Sequence, residues 1–330
     1  MRTRSIVMLA ALVIPGGLVL GQSQSRGRLN PLVELLERKQ PVFGLYAPSN
    51  RRPGRGAQAD APPAKTAAEL AREALAFTAT DFIFDGSMEG DFERGFAGFS
   101  EFVGGMADGG ALRKTPQPRL THPLAVKMHE IAPDPAKAAA NIARQLNLGV
   151  SAIVFVGVES ADEVRAGLAA MRFRSKGGTR PDDVGNAPAY WGMTDAQYRA
   201  AADVWPLNAE GELVNWTIVE STEGLARVRE IAAVKGIGVL FPGAGTLRGV
   251  FTTTGANGER VFDEAGWEAA IQQVLAACKE FDVPCGYPAT VNDIEMRMRQ
   301  GFSVFIMNWG EPGFQAIEVG HRAAGRPISR

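Results

Sequence analysis

Apolar residues in this chain gather into short, nearly unbroken runs such as FGLY, FIF, LAV, AIVFV and VFIM. A half-exposed strand alternates apolar and polar positions. A strand covered on both faces does not, and such strands belong to parallel sheets flanked by helices. Eight strands are predicted on this basis, at 42–46, 81–85, 124–128, 152–156, 213–219, 238–241, 283–287 and 303–307. Helical spacing of apolar residues falls between them, at 66–77, 91–103, 134–146, 161–171, 222–234, 263–281, 291–300 and 312–323. Several of these stretches carry start signals. Asp134 precedes Pro135, a capping residue followed by proline in the first turn. Ser221 precedes Thr222 and Glu223, and an early acid suits a helix N-terminus. Eight strands each followed by a helix predict an α/β chain folded as a (β/α)8 TIM barrel, one domain over 26–330. A doubly wound open sheet shares the alternation, but no G-x-G-x-x-G turn follows the first strand.

Three connections are longer than usual. Segment 49–64 (SNRRPGRGAQADAPPA) follows the first strand and belongs at the C-terminal mouth of a barrel. Segment 104–121 precedes the third strand and belongs at the opposite end. Segment 173–211 holds an extra helix over 194–203 and the aromatics Tyr190, Trp191 and Trp205. Exposed aromatics are costly, so a packed cover or subunit contact is expected there and not a plain loop.

The first residues read differently. Arg2 and Arg4 precede an apolar run over 6–20, broken by Pro15, Gly16 and Gly17 and followed by the small residues Gly21 and Ser23. This describes an export signal over 1–25 and a periplasmic or secreted protein. The run is shorter than the about 20 residues of a membrane span. No later run is long enough either, so the mature chain is expected to have no stable membrane span. Composition is that of a globular protein, 45% apolar and 22% charged, and a net charge of −1 argues against nucleic acid as the main partner. Two cysteines do not make a disulfide scaffold or a Cys-rich zinc site. An exported compartment would permit Cys278 and Cys285 to pair, although separate buried thiols are the favoured reading.

Chemistry in a barrel gathers at the C-terminal ends of its strands. Those ends supply Asp85 and Glu89, Lys127 and His129, Glu159, Glu220, the run Gly243-Ala244-Gly245-Thr246, and Trp309. Glu220 closes a buried strand, where an unpaired carboxylate is costly, so metal ligation or a salt bridge must satisfy it. Mg²⁺ or Mn²⁺ prefers oxygen donors, and Asp85, Glu89 or Glu159 could complete such a site. Lys127 has three readings: a cation that grips a substrate carboxylate or enolate, an imine-forming amine, or a structural partner of Asp85 or Glu220. Glu89 is the better-placed candidate base, ahead of His129. Backbone N–H groups at Gly243, Ala244, Gly245 and Thr246 suit an oxyanion, and a tight turn needing glycine is the competing reading.

The segments LNPLVELLERKQPVFGLYAPSN, DFIFDG, VESADEVRAGLAAMRF and IVESTEGLARVREIAAVKGIGVLFPGAGTL together resemble the HpcH/HpaI aldolase and citrate lyase β-subunit family, the metal-dependent pyruvate aldolases. The resemblance covers nearly the whole mature chain. It implies the barrel fold, a homo-oligomer, and carbon–carbon lyase chemistry on a small oxo- or hydroxy-acid with a divalent cation, Mg or Mn. It places the family's metal-binding Glu on Glu220. The second metal ligand falls on Thr246, and the substrate-binding Arg on Lys127. The basic His falls on Met88, preceded by Ser87, and the carboxylate paired with that His falls on Asn147. The arginine–glycine loop is reduced to RFRSKGGTR. The expected division of labour is therefore Glu220 for the cation, Lys127 for the substrate, Glu89 as substitute base with Asp85 beside it, and 243–246 for an oxyanion. Two other readings stay open. One is a non-catalytic or ligand-binding protein on an aldolase barrel. The other is a lyase or hydrolase for an aromatic substrate, given Trp191, Trp205 and Trp309.

Overall fold

The computed structural model describes residues 27–50 and 63–328. The predicted export signal lies outside the described residues, as does most of the 49–64 connection. The sheet strands are β1 (Val42–Tyr46), β2 (Phe82–Asp85), β3 (Leu124–Lys127), β4 (Ala152–Phe155), β5 (Leu213–Val219), β6 (Val239–Pro242), β7 (Gly286–Pro288) and β8 (Val304–Met307). The first helices are α1 (Pro31–Glu37), α2 (Ala67–Ala76), α3 (Phe92–Asp108), α4 (Pro135–Leu146) and α5 (Ala161–Met171). Two short ones follow before β5, α6 (Ala187–Trp191) and α7 (Asp195–Ala201). The remainder are α8 (Thr222–Ala226), α9 (Val228–Ala232), α10 (Ala244–Val250), α11 (Glu264–Glu280), α12 (Ile294–Gln300) and α13 (Glu311–Ala323). Among the described residues, no helix is long and apolar enough to cross a membrane.

Capping follows the sequence signals. The Lys137 N–H donates to Asp134 Oδ1 at 3.0 Å at the start of α4, and the Gly224 N–H to Ser221 Oγ at 3.0 Å at the start of α8. The helix expected over 222–234 is broken at Arg227 into α8 and α9. Segment 104–121 holds the last turn of α3 and a two-residue antiparallel hairpin, Leu112–Arg113 with Arg119–Leu120.

The strands pair in parallel in the order β7, β8, β1, β2, β3, β4, β5, with β6 on the far side of β5, and a ninth, two-residue strand, Val204–Trp205, pairs in parallel with the start of β5. The sheet curls until β6 and β7 face each other, but only one isolated bridge, Leu240 with Cys285, spans them. The closed barrel predicted from sequence is thus a curled parallel sheet whose last seam lacks a ladder. Proline explains the weak seam. Pro284 and Pro288 flank or end β7, Pro242 ends β6, and none of them has an N–H to give a ladder.

Alternate residues of each strand face the inside of the curl. Phe82, Ala125, Val154, Trp216 and Val304 belong to one interior cluster, plugged at the N-terminal end of the strands by Leu32, Val33 and Leu36 of α1. Their neighbours Ile83, Val126, Ile153 and Phe305 pack outward under the helices. Gly44 faces inward where a Cβ would lie 2.1 Å from the Phe82 ring, so only glycine leaves that ring its place. Segment 173–211 packs as a cover. Trp191 is fully buried, donates Nε1–H to the Gly149 carbonyl at 2.8 Å and meets the Tyr198 ring edge-on at 4.9 Å.

Cys278, near the end of α11, and Cys285, before β7, form a disulfide with a Cα–Cα distance of 5.7 Å. This corrects the expectation of separate thiols: the tight connection from helix to strand brings the two together.

Candidate active site at the mouth of the curled sheet

Strand parity delivers the site. Val42, Gly44 and Tyr46 share the inward face of β1, and Ala125 and Lys127 that of β3. Trp216 and Ile218 of β5 share it with Glu220 one residue beyond the strand. At the C-terminal ends of the strands the inward positions therefore change from apolar to Tyr46, Lys127 and Glu220.

Lys127 Nζ lies 3.0 and 2.9 Å from the two carboxylate oxygens of Glu89. The lysine side chain is 15% exposed and the glutamate 41%, so the pair sits in the opening. The structural reading of Lys127 paired it with Asp85 or Glu220; among the nearby acids it is Glu89 that the turn after β2 brings to it. Asp85 is engaged by Ser87, whose N–H and Oγ donate to Oδ1 at 2.8 and 2.5 Å. Gly86 lies between two walls of the site, since a Cβ there would be 3.8 Å from both the Tyr46 ring and the Lys127 stem.

Among the described residues Glu220 makes no ion pair. The Gly157 N–H donates to its Oε1 at 2.9 Å. Gly157 has φ of 58°, a left-handed backbone suited to glycine, and a Cβ there would lie 3.0 Å from Glu130. On the other side a Cβ at Gly243 would be 2.4 Å from the Cβ of Glu220. Gly243 thus leaves the space that Glu220 fills, and Gly157 supplies the N–H that holds it.

Tyr46 is the residue that sequence reasoning missed. Its ring meets Phe84 edge-on at 4.9 Å. Burial pushes its phenol above the ordinary value, Lys127 opposes this, and Glu89, Glu220 and Asp85 reinforce it. One phenol therefore feels all four charged candidates, and the phenol keeps its proton through neutral pH. Counting parity from Val42 would have found it.

Other candidates lie elsewhere. The run 243–246 is not a free turn. Gly243 caps α10, Ala244–Thr246 form its first turn, and Gly245 and Thr246 are exposed. Met88 is fully buried and touches Gln145 under α4. Asn147 caps the C-terminal end of α4, at the opposite end of the strands, so it cannot pair with a mouth residue. His129 packs edge-on against Phe92 at 6.1 Å, and burial, then Lys137, lowers its pKa. The Glu159 N–H donates to Glu163 at the start of α5. Trp309 donates to Glu73 at 2.9 Å, while Trp191 and Trp205 lie toward the far end. A cavity of about 720 Å³ also opens at that far end, lined by Leu36, Trp205 and Phe281.

The donors do not fit a two-carboxylate cation site. Among the described residues no group of three or more His, Cys, Asp or Glu could hold a metal ion. Glu220 offers one carboxylate, and the second position is the exposed hydroxyl of Thr246.

Comparison with known proteins agrees with this architecture. Curated proteins give no match. A crystal structure of an HpcH/HpaI aldolase/citrate lyase family protein from Burkholderia cenocepacia J2315 is similar at a TM-score of 0.61 and 21% identity, over 90% of this chain and 98% of that one. Macrophomate synthase is similar at 0.58 and 18% identity, over 91% and 89%. The citrate synthase SbnG is similar at 0.55 and 14% identity, over 89% and 96%. At these identities the likeness establishes the fold. The family model for HpcH/HpaI aldolase/citrate lyase matches residues 125–317, more than half of the 330 residues and a span that includes Lys127, Glu220 and Gly243. The chain belongs to the HpcH/HpaI aldolase/citrate lyase family.

Proposed function

We propose that the mouth cleaves or forms a carbon–carbon bond in a small oxo- or hydroxy-acid, with Lys127 as the substrate's counter-charge and Glu89 as the base. The observation that carries this reading is the Lys127–Glu89 pair, held at the inward end of β3 between Tyr46 and open solvent. A substrate carboxylate or oxo group competes with Glu89 for the ammonium. Its arrival releases the Glu89 carboxylate beside the substrate. In the cleavage direction Glu89 takes the proton of the hydroxyl, the adjacent carbon–carbon bond breaks, and its electron pair becomes an enolate on the oxo-acid half. Lys127 stabilises that enolate as a preorganised charge in a partly dry site. Tyr46 has a proton to donate to the same oxygen. Glu220 offers a cation one carboxylate, so the side chains of Lys127, Glu89 and Tyr46 carry the steps.

Replacement of the family's basic His by the buried Met88 favours one second reading, a ligand-binding protein that no longer turns its ligand over. A panel of hydroxy-oxo-acids separates the two. Lyase turnover is expected with at least one member, and borohydride reduction in the presence of pyruvate should leave the protein mass unchanged. A trapped adduct on Lys127 would replace the cation by an imine mechanism, and binding without turnover across the panel would favour the second reading.

Export of the chain belongs to the same proposal. Arg2, Arg4 and the apolar run over 6–20 support it, and the disulfide suits an oxidising compartment. Mass spectrometry of the mature protein should find about 21–25 residues removed; an intact N-terminus would refute it. A homo-oligomer is proposed from family membership alone.

A further inference from the structure

Among the described residues two buried arginines sit in similar aromatic cages, and one of them, Arg180, makes no ion pair. Arg297 of α12 is 4% exposed and lies over the Tyr287 ring, 4.3 Å from its centre. Its Nη1 and Nη2 donate to the two Glu268 oxygens at 2.6 and 2.7 Å, and Nη2 also reaches the Tyr287 hydroxyl at 3.0 Å. Arg180 is 1% exposed and lies over the Phe173 ring, 4.2 Å from its centre. Its Nη2 donates to Asn147 Oδ1 at 2.8 Å and to the Tyr198 hydroxyl at 3.2 Å. There the likeness ends. Among the described residues no carboxylate pairs with Arg180, and its Nε and Nη1 have no acceptor.

A guanidinium keeps its charge when buried, and an uncompensated buried charge is strongly unfavourable. The nearby C-terminal end of α4 supplies only about half an elementary charge of opposite sign. Something else should therefore complete the balance. Arg180 forms part of the wall of a cavity of about 410 Å³ between α4 and the loop that follows α5. Arg144 and Arg174 line the same cavity, together with Thr179 and Asp183. Arg144 is occupied by Glu93, at 2.6 and 2.9 Å. Arg174 is exposed and makes no ion pair among the described residues. Asp183, the acid in this wall, accepts from Asn147 Nδ2 at 2.9 Å and from the Gly185 N–H at 3.4 Å. The loop is held in place: the Arg174 N–H donates to the Arg180 carbonyl, and the Arg180 N–H to the Arg172 carbonyl, each at 2.9 Å.

We propose that this cavity binds a small multivalent oxyanion of the phosphate or polycarboxylate class, with Arg174 as the exposed contact and Arg180 as the buried charge behind it. The fork of Arg174 suits a tetrahedral or planar oxyanion. The charge of Arg180 is poorly screened because water is excluded around it. The site lies at the far end of α4 from the mouth, so the inference stands whether or not the lyase reading does.

Thermal unfolding and calorimetry of the full chain with inorganic phosphate, at ionic strength fixed with sodium chloride, test it. Phosphate should raise Tm and chloride should not. Arg174→Gln should weaken phosphate binding by roughly tenfold or more, the loss of a charge-assisted contact, and leave Tm without phosphate unchanged. Arg180→Met should abolish the phosphate response. If that variant does not fold, Arg174→Gln decides alone. An equal phosphate response in wild type and Arg174→Gln, or none beyond that of chloride, would overturn the proposal. So would an oligomer that phosphate dissociates, since the counter-ion would then be a carboxylate of a second copy.

Discussion

The inside of the curled sheet has two ends built by one rule and filled with opposite chemistry. Toward the N-terminal end of the strands the inward positions are Val42, Ala125 and Val214, closed off by Leu32, Val33 and Leu36 of α1. At the C-terminal end the same parity delivers Tyr46, Lys127 and Glu220. Charge is affordable only in that last layer, where a partner or water can reach it. The comparison teaches that the scaffold and the site are successive layers of the same strands. The far end should govern stability and the mouth should govern chemistry.

The largest expected effect is on the plug. Leu32 is fully buried, and Leu32→Ala should cost about 2–5 kcal/mol of stability, read as a lower urea midpoint at unchanged slope. Activity per folded molecule should hardly change. A loss of turnover at full stability would break the division between the two ends.

Acid should act through the far end too. His122 and His321 are both 3% exposed, and burial lowers the pKa of each below its ordinary value. The Phe77 carbonyl only partly offsets this at His122; at His321 Asp81 and then the Ala79 carbonyl oppose it, while Arg326 adds to the lowering. The unfolded chain therefore takes up protons first, near pH 6.5. Stability is full above that value and falls as pH drops toward the folded pKa, by at most about 1.4 kcal/mol per pH unit for each ring. Urea unfolding from neutral pH down to about pH 5.5, with His122→Gln beside wild type, measures it. The variant should show a shallower slope, and a parallel slope would remove His122 from the account.

Tyr46→Phe sharpens the mouth. A neutral hydrogen bond is worth about 0.5–1.5 kcal/mol, so kcat/KM should fall about two- to thirteenfold with no change in Tm. An unchanged kcat/KM would leave the ring as packing for Phe84 alone. The smallest effect should come from Glu220→Gln in Mn²⁺ calorimetry. With a single carboxylate at the site, wild type should bind weakly and the variant more weakly still. Tight binding by wild type, lost in Glu220→Gln, would show that this donor set had been underestimated.

Most of the scaffold was legible in the sequence because its signals are local. Unbroken apolar runs placed the strands, and Asp134 and Ser221 placed two helix starts through bonds that the folded chain makes. The seam between β6 and β7 was harder to read, because Pro284 and Pro288 leave an apolar run intact while removing ladder donors. The site was half legible. Lys127, Glu89, Asp85 and Glu220 could be placed together at strand ends, but which acid pairs with Lys127 depends on turn geometry, so Glu89 could not be singled out from Asp85 and Glu220. Tyr46 was hidden inside a run read as apolar, and Asn147 was placed by resemblance at a mouth that α4 carries it away from. The bare charge of Arg180 depends on a cage of Phe173, Asn147 and Tyr198 drawn from three separate segments, which no spacing rule reveals.

The central claim is that Lys127 acts as a fixed cation at the mouth. Glu89 is 41% exposed, so removing its partner leaves no buried charge and the fold should stand. The most direct measurement is lyase turnover by wild type, Lys127→Ala and Lys127→Arg at matched Tm. Loss of one preorganised donor costs about 10²–10³ in kcat. Lys127→Ala should lose that much, and Lys127→Arg should keep part of the activity. Full turnover in a stably folded Lys127→Ala would contradict the account.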